Sequence, residues 1–275
     1  MSSYLFANAR IVDGTTPEPG EPVSVLVEDG VIREVSASLK AGSAEVIDLK
    51  GRTLMPGLID CHVHVVASLA NLGENARLPD SLAAPRAAII MRDMLARGFT
   101  TVRDVGGADV GLKHAVEEGL FPAPRLFICG KALSQSGGHA DFRGQYDDTP
   151  VPTNRFRLGA LGRICDGVDG IRRAAREEIK NGAEFIKIMA NGGAASPTDP
   201  IHFLGFSRDE LLAVVEEAQN AGTYVSAHVY TDEGIRRVVE CGVHSLEHCN
   251  FISSETATLA KENGAYAVPT LVTYE

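Results

Sequence analysis

The sequence predicts an α/β fold: a (β/α)8 TIM-type barrel with its eighth strand missing from the 275-residue chain, preceded by a small N-terminal β-sandwich segment. Three observations carry this expectation. Residues 4–54 are short β-branched runs separated by turn material. From Met55-Pro56-Gly57 onward, strand patterns alternate with amphipathic helical patterns, which implies a parallel sheet. The length suits a barrel of ordinary size, or a smaller one with a small second domain. The expected division is 1–54 for the sandwich segment and 55–275 for barrel strands one to seven.

In the first segment, Tyr4–Val12, Ser24–Glu28, Val31–Val35 and Glu45–Asp48 read as strands. Asp29-Gly30 is a two-residue hairpin signal, and Pro17, Pro19, Gly20 and Pro22 mark a loop. The barrel strands expected next are Leu58–Val65, Thr100–Val105, Arg125–Gly130, Phe185–Met189, Tyr224–His228, Ser245–His248 and Tyr266–Val272. Ser207-Arg208-Asp209-Glu210 is a capping box opening a helix, whose inner face would carry Leu211, Leu212, Val215 and Ala218. A second helix contains Ile171, Ala174, Ala175, Glu178 and Ile179. Thr231–Cys241 and Ser253–Asn263 are two more, ended by Gly242 and Gly264. Residues 131–160 show little periodicity and read as a long loop after the third barrel strand, on the face where barrel active sites form.

Composition narrows the function classes. A formal charge of −10, from 36 acids against 26 bases, argues against nucleic acid and anionic membrane as partners. Five cysteines, none at CxxC spacing, indicate neither a disulfide framework nor a zinc ribbon, and fit reduced thiols in the cytoplasm. No basic n-region precedes an apolar run at the N-terminus, and no apolar stretch reaches the roughly 18 residues of a membrane span. A small-molecule or dipeptide substrate is therefore expected, and a homo-oligomer is compatible with these features.

The chemistry-bearing residues fall at strand ends. His62-Val63-His64 puts two imidazoles on one side of a strand that its preceding apolar run marks as buried. His228 ends the fifth barrel strand and His248 the sixth. Each alone has an ordinary reading as a satisfied core histidine. Strand ends of one barrel converge on one mouth, however, and imidazoles suit zinc and its neighbours. Lys187 sits inside the apolar run Phe185-Ile186-Lys187-Ile188-Met189, either paired with a carboxylate, at the mouth, or as a buried charge.

Together Met55-Pro56-Gly57-Leu58-Ile59-Asp60-Cys61-His62-Val63-His64, Lys187, His228 and His248 resemble the amidohydrolase superfamily. Lys187-Ile188-Met189-Ala190-Asn191-Gly192-Gly193 and Ser196-Pro197-Thr198-Asp199-Pro200 resemble a narrower group of imidazolonepropionase-related amidohydrolases, Xaa-Pro metallo-dipeptidases and carboxypeptidases. The resemblance implies two divalent metal ions, with zinc expected. His62 and His64 would hold the first and His228 and His248 the second, bridged by Lys187 as a carbon dioxide-derived carbamate. A lysine at that place argues against the one-metal deaminase branch. His139, in Ser136-Gly137-Gly138-His139, and Tyr230 resemble residues that meet the substrate carbonyl, as catalytic groups stabilising an oxyanion. A surface-loop histidine and a rim tyrosine are the plainer readings of the same two residues.

The superfamily also places an aspartate at the end of strand eight, as ligand and general base. No aspartate follows Asp232, so the chain reads as C-terminally incomplete. The function expected is cleavage of a C–N bond, in a dipeptide such as Xaa-Pro or in an N-acyl amino acid. Hydrolysis of cyclic amides, carbamates, ureas or lactones is the alternative within the class. A catalytically inactive metal-binding fragment is the alternative outside it.

Overall fold

The computed structural model describes residues 2–16, 18–150 and 157–271. Pro17 of the expected loop, six residues of the 131–160 segment and Val272 of the last expected strand lie outside them. The chain divides into two compact units, Met1–Leu58 and Ile59–Glu275.

The first unit is a sheet of β1 (Ser3–Ile11), β2 (Val23–Glu28), β3 (Val31–Ser36), β4 (Glu45–Asp48) and β5 (Thr53–Leu54). Its order is β3-β2-β1-β4, with β5 also on β1. Asp29 and Gly30, at φ of 49° and 78°, make the turn between β2 and β3. A tight hairpin needs positive φ at both positions, which the Asp-Gly pair tolerates. Leu5, Ala9 and Val25 are buried, whereas Val31, Ile32, Val35 and Val46 are exposed. The described residues of this unit form one sheet, and none of them adds a second layer over that outer face.

In the second unit all seven expected strands form. They are β6 (Leu58–Val63), β7 (Phe99–Asp104), β8 (Arg125–Ile128), β11 (Ile186–Met189), β12 (Val225–Val229), β13 (Ser245–His248) and β14 (Tyr266–Val268). Two further short strands, β9 (Ala132–Ser134) and β10 (Gly162–Ile164), went unanticipated. The helices are α1 (Leu72–Asn75), α2 (Asp80–Ala96), α3 (Val110–Glu117), α4 (Gly167–Lys180), α5 (Arg208–Asn220), α6 (Asp232–Glu240) and α7 (Ser254–Glu262). No helix among the described residues is long and apolar enough to cross a membrane.

The expected barrel strands do not lie in one continuous sheet. The described strands form two sheets, β6-β7-β8 and β10-β9-β11-β12-β13-β14. The break has a local cause. β9 pairs with β11 through Ile188 and Leu133, occupying the edge that β8 would otherwise share. Between β8 and the start of β11, the Glu184 N–H donates to the Ile128 carbonyl at 2.8 Å and the Ile128 N–H donates to the Glu184 carboxylate at 3.0 Å. The long loop is also less irregular than its composition suggested, because β9 lies within it and β10 pairs alongside. Lys131 reinforces it: its buried ammonium donates to the carbonyls of Gly107, Arg157 and Ala160 at 2.6–3.0 Å.

Helix packing follows the apolar spacing with one correction. In α5, Leu211, Val214, Val215 and Ala218 are buried, but Leu212 is 46% exposed. Positions 211, 214/215 and 218 form the i, i+3/i+4, i+7 stripe, and 212 stands about 100° away from its start. The Ser207/Glu210 capping box forms as expected. β6 also departs from expectation: Leu58 and Ile59 are 40% and 65% exposed. It is the edge of its sheet, and so lacks the second neighbour that burial of the run presupposed.

Candidate active site

The strand order brings the widely separated histidines together. His62 lies in β6, His64 just beyond it, Lys187 in β11, His228 in β12 and His248 at the end of β13. Ring centroids are 5.5 Å apart for His62 and His64, 4.8 Å for His62 and His248, and 4.6 Å for His228 and His248. His139, from the segment after β9, stacks on His228 at 4.1 Å. Tyr230 lies edge-on to His228 and stacked on His248, both at 4.8 Å. His248 and Cys249 have φ of 75° and 55°, a strained conformation for residues with side chains, of the kind that concentrates at functional sites. Cys249 itself packs into the hydrophobic core rather than among the histidines.

Each imidazole is held by a residue that residue spacing did not reveal. Glu247 is fully buried and accepts from His62 Nδ1 at 2.8 Å, Arg103 Nη2 at 2.7 Å, and the hydroxyls of Ser226 and Ser245 at 2.6 and 2.7 Å. His64 Nδ1 donates to the Gly106 carbonyl at 2.9 Å. That loop is tied down by Asp104, whose carboxylate accepts from the backbone N–H groups of Val65, Gly106 and Ala108. His228 Nε2 meets the Gly192 carbonyl at 3.2 Å, and His248 Nδ1 the Thr270 hydroxyl at 2.7 Å. Asn191 accepts from the N–H groups of Tyr230 and Thr231, fixing the chain just past His228. Gly234 of α6 makes room for it, since a Cβ there would strike the Asn191 amide. Asn191 belongs to the recognised motif; Glu247 could have been flagged as a glutamate inside a buried strand.

The electrostatics are dominated by burial and by one cation. Lys187 is 1% exposed, and its ammonium makes no hydrogen bond among the described residues. Burial lowers its pKa, against the attraction of Glu247. Its charge in turn bears on His62, His64, His139, His228 and His248. Burial first, with neighbouring imidazoles and Lys187 after it, pushes His64 down to about 3. Burial and then Lys187 push His139 down to about 4 and His248 down to about 2. Burial also lowers His62, outweighing Glu247, and takes His228 well below its ordinary value. All five are thus neutral near pH 7, the form in which imidazole donates to a metal.

These shifts imply acid sensitivity of the metal-free protein. The unfolded chain protonates its histidines near 6.5, the folded chain only well below. Between those limits the unfolded state holds more protons, so stability is complete above pH ~6.5 and is lost as pH falls toward about 3. Thermal unfolding of chelated protein should show the melting temperature dropping steadily below pH ~6.5. A flat profile down to about pH 4 would contradict the buried, neutral state of these rings.

Whether the residues fit the implied metals can be judged from this arrangement. Among the described residues, no group of three or more histidine, cysteine, aspartate or glutamate side chains is spaced to enclose an ion. The imidazoles pack on one another, with the Lys187 charge among them. The donor set itself fits: neutral imidazoles, nitrogens fixed by carboxylate and carbonyl partners, and a buried amine without a counter-ion of its own. Asp232, the last aspartate, accepts from the Ser253 N–H and carries no part of the site.

Comparison with known proteins agrees with this chemistry. The sequence profile of the amidohydrolase family matches residues 53–275. Ochratoxinase of Aspergillus niger is 32% identical over 92% of this chain, which spans only 56% of that protein. The chain thus covers about half the length of the curated relatives it matches. A crystal structure of an amidohydrolase is 56% identical with a TM-score of 0.95, over 98% of this chain and 67% of that one. A prolidase solved with N-methylphosphonate-L-proline is 50% identical, also with a TM-score of 0.95 and the same coverage.

Proposed function

The chain belongs to the amidohydrolase family, and on that premise we propose that it carries the metal-binding residues of a binuclear metal-dependent hydrolase of C–N bonds, acting on dipeptides with a C-terminal proline or on N-acyl amino acids. The observation that carries the reading is Lys187, a buried amine whose charge reaches five neutral imidazoles. Its depressed pKa favours the neutral amine, which attacks carbon dioxide; an N–C bond forms, a proton leaves, and an anionic carbamate replaces a costly buried cation. In this reading His62, His64, carbamylated Lys187, His228 and His248 hold two divalent ions, zinc by the chemistry of the donors. When bound, the metals supply Lewis acidity that polarises a carbonyl and acidifies a water molecule.

The protein's own groups do the rest. Glu247 holds His62 by its Nδ1 and Gly106 holds His64 likewise, so each ring offers Nε2. Tyr230, edge-on to His228 and stacked on His248, is placed to hold the substrate's carbonyl oxygen as negative charge develops on it, and His139, stacked on His228, is placed to contact the substrate beside it. The prolidase and its proline phosphonate support the substrate class. The test is hydrolysis of a library of dipeptides and N-acyl amino acids by the full-length, metal-loaded protein, with elemental analysis of the same sample. Turnover of Xaa-Pro dipeptides with two metals per chain is expected. Turnover of ureas, lactones or cyclic amides alone would overturn the substrate class, and absence of stoichiometric metal would overturn the mechanism.

A further inference from the structure

The loop that follows β11 does more than carry Asn191. It folds back on itself, with the Gly193 N–H donating to the Asp199 carbonyl at 3.1 Å and the Gly192 N–H to that of Phe203 at 2.8 Å. In this closed form it presents Ser196 to His139: the Ser196 hydroxyl lies 2.9 Å from His139 Nδ1. The same hydroxyl is hydrogen-bonded to Asp199 Oδ1. Asp199 is buried, and its Oδ2 has no hydrogen-bond partner among the described residues. A half-satisfied buried carboxyl costs stability, which calls for a role. Burial also pushes it up to about 6.

The His139 ring is confined on its other sides as well. One face stacks on His228 at an interplanar angle of 21°. Gly193 lies so close that a Cβ there would land on the ring's Cε1 and Nδ1. Gly193 does not adopt a positive φ, so the glycine is explained by this close approach and not by the backbone.

We propose that Ser196 and Asp199 are positioning residues for His139: the Ser196 hydroxyl donates to Asp199 and accepts from His139 Nδ1–H, which fixes the ring and its tautomer and leaves Nε2 unprotonated, as an acceptor offered to the substrate. This rests on the reading of His139 as a substrate-contacting group. Neither residue touches the reacting atoms. Ser196 engages the ring, and Asp199 orients the serine hydroxyl, as a carboxylate behind a histidine does elsewhere in hydrolases. The loop supplies the His228 contact through Gly192 and the His139 contact through Ser196, so it sets two rings with one piece of backbone.

The experiment uses the full-length, metal-loaded enzyme and the variants His139→Ala, Ser196→Ala, Ser196→Thr, Asp199→Asn and Gly193→Ala. Ser196→Ala and Gly193→Ala should lower kcat about 10–100-fold, the usual effect of losing a group that orients another, with metal content unchanged. Ser196→Thr, which keeps the hydroxyl, should recover most of the activity. Nitrogen-15 NMR, with the His139 signals assigned by their absence in His139→Ala, should show one fixed tautomer in the parent and loss of that preference in Ser196→Ala. Asp199→Asn keeps the shape of the loop and covers the case in which Ser196→Ala misfolds; it too should perturb the His139 signals. Normal kcat in Ser196→Ala beside an inactive His139→Ala overturns the positioning role alone. Lost activity with an unchanged His139 tautomer overturns it too, by making Ser196 merely structural. A fully active His139→Ala overturns the underlying reading of His139.

Discussion

Replacing Lys187 with Ala is expected to abolish stoichiometric metal binding and to lower kcat/KM by about a thousandfold, or ~4 kcal/mol of transition-state stabilisation. The reason lies in the packing. Lys187 pairs with Ser226 across to β12, and one strand further His228 faces Glu247 of β13. The buried amine's charge bears on all five imidazoles, from both sheets. Short carboxylic acids such as acetate should restore part of both properties by entering the space that the side chain vacates. The metal-free variant gives an independent readout. Removing a buried cation relieves five imidazoles, so their pKa values rise toward 6.5 and less stability is lost between about pH 6.5 and 4. Calorimetry of chelated parent and variant across that range measures this. A variant that keeps its metals and its activity would end the bridging role of Lys187.

Glu247 should produce the second large effect, and it separates folding from metal binding. Glu247→Ala strands the Arg103 guanidinium and leaves His62, Ser226 and Ser245 without their acceptor. Removing one partner of a buried ion pair typically costs about 3–5 kcal/mol, to be read by denaturant unfolding. Glu247→Gln keeps the shape and loses the charge. It should fold, yet hold metal about 10–100-fold more weakly, because His62 loses the carboxylate that fixes its tautomer. The pH dependence has a definite sign. His62, Lys187 and Arg103 hold the Glu247 carboxyl well below its ordinary 4.5 despite burial. Its contribution is therefore complete above about pH 4.5 and lost as pH falls further. Unchanged metal affinity in Glu247→Gln would show that His62 orients itself.

Legibility from the sequence varied with the range of the interaction. All seven expected barrel strands, the capping box at Ser207 and the Asp29-Gly30 turn were readable, since each depends on neighbours a few residues apart. The histidines and Lys187 were readable as a motif, because their strand-end positions follow from local pattern and their grouping from the family resemblance. Leu212 and the exposed start of β6 were misread for one reason: apolar spacing says which side of an element is apolar, not whether a neighbour covers it. β9 and β10 are too short to show a period.

By itself, then, the sequence determined the alternation of strands and helices, the family, and which residues the family resemblance assigns to metal chemistry. Tertiary structure alone decided how those residues are held: Glu247 behind His62, Asp104 behind the Gly106 loop, and Ser196 behind His139. It also decided that the described strands part into two sheets where β9 takes the edge of β11. The physical reason is common to all of these. Desolvation and hydrogen bonding belong to an environment assembled from distant segments, such as the 185 residues between His62 and Glu247, and residue order encodes that environment only once the chain has folded.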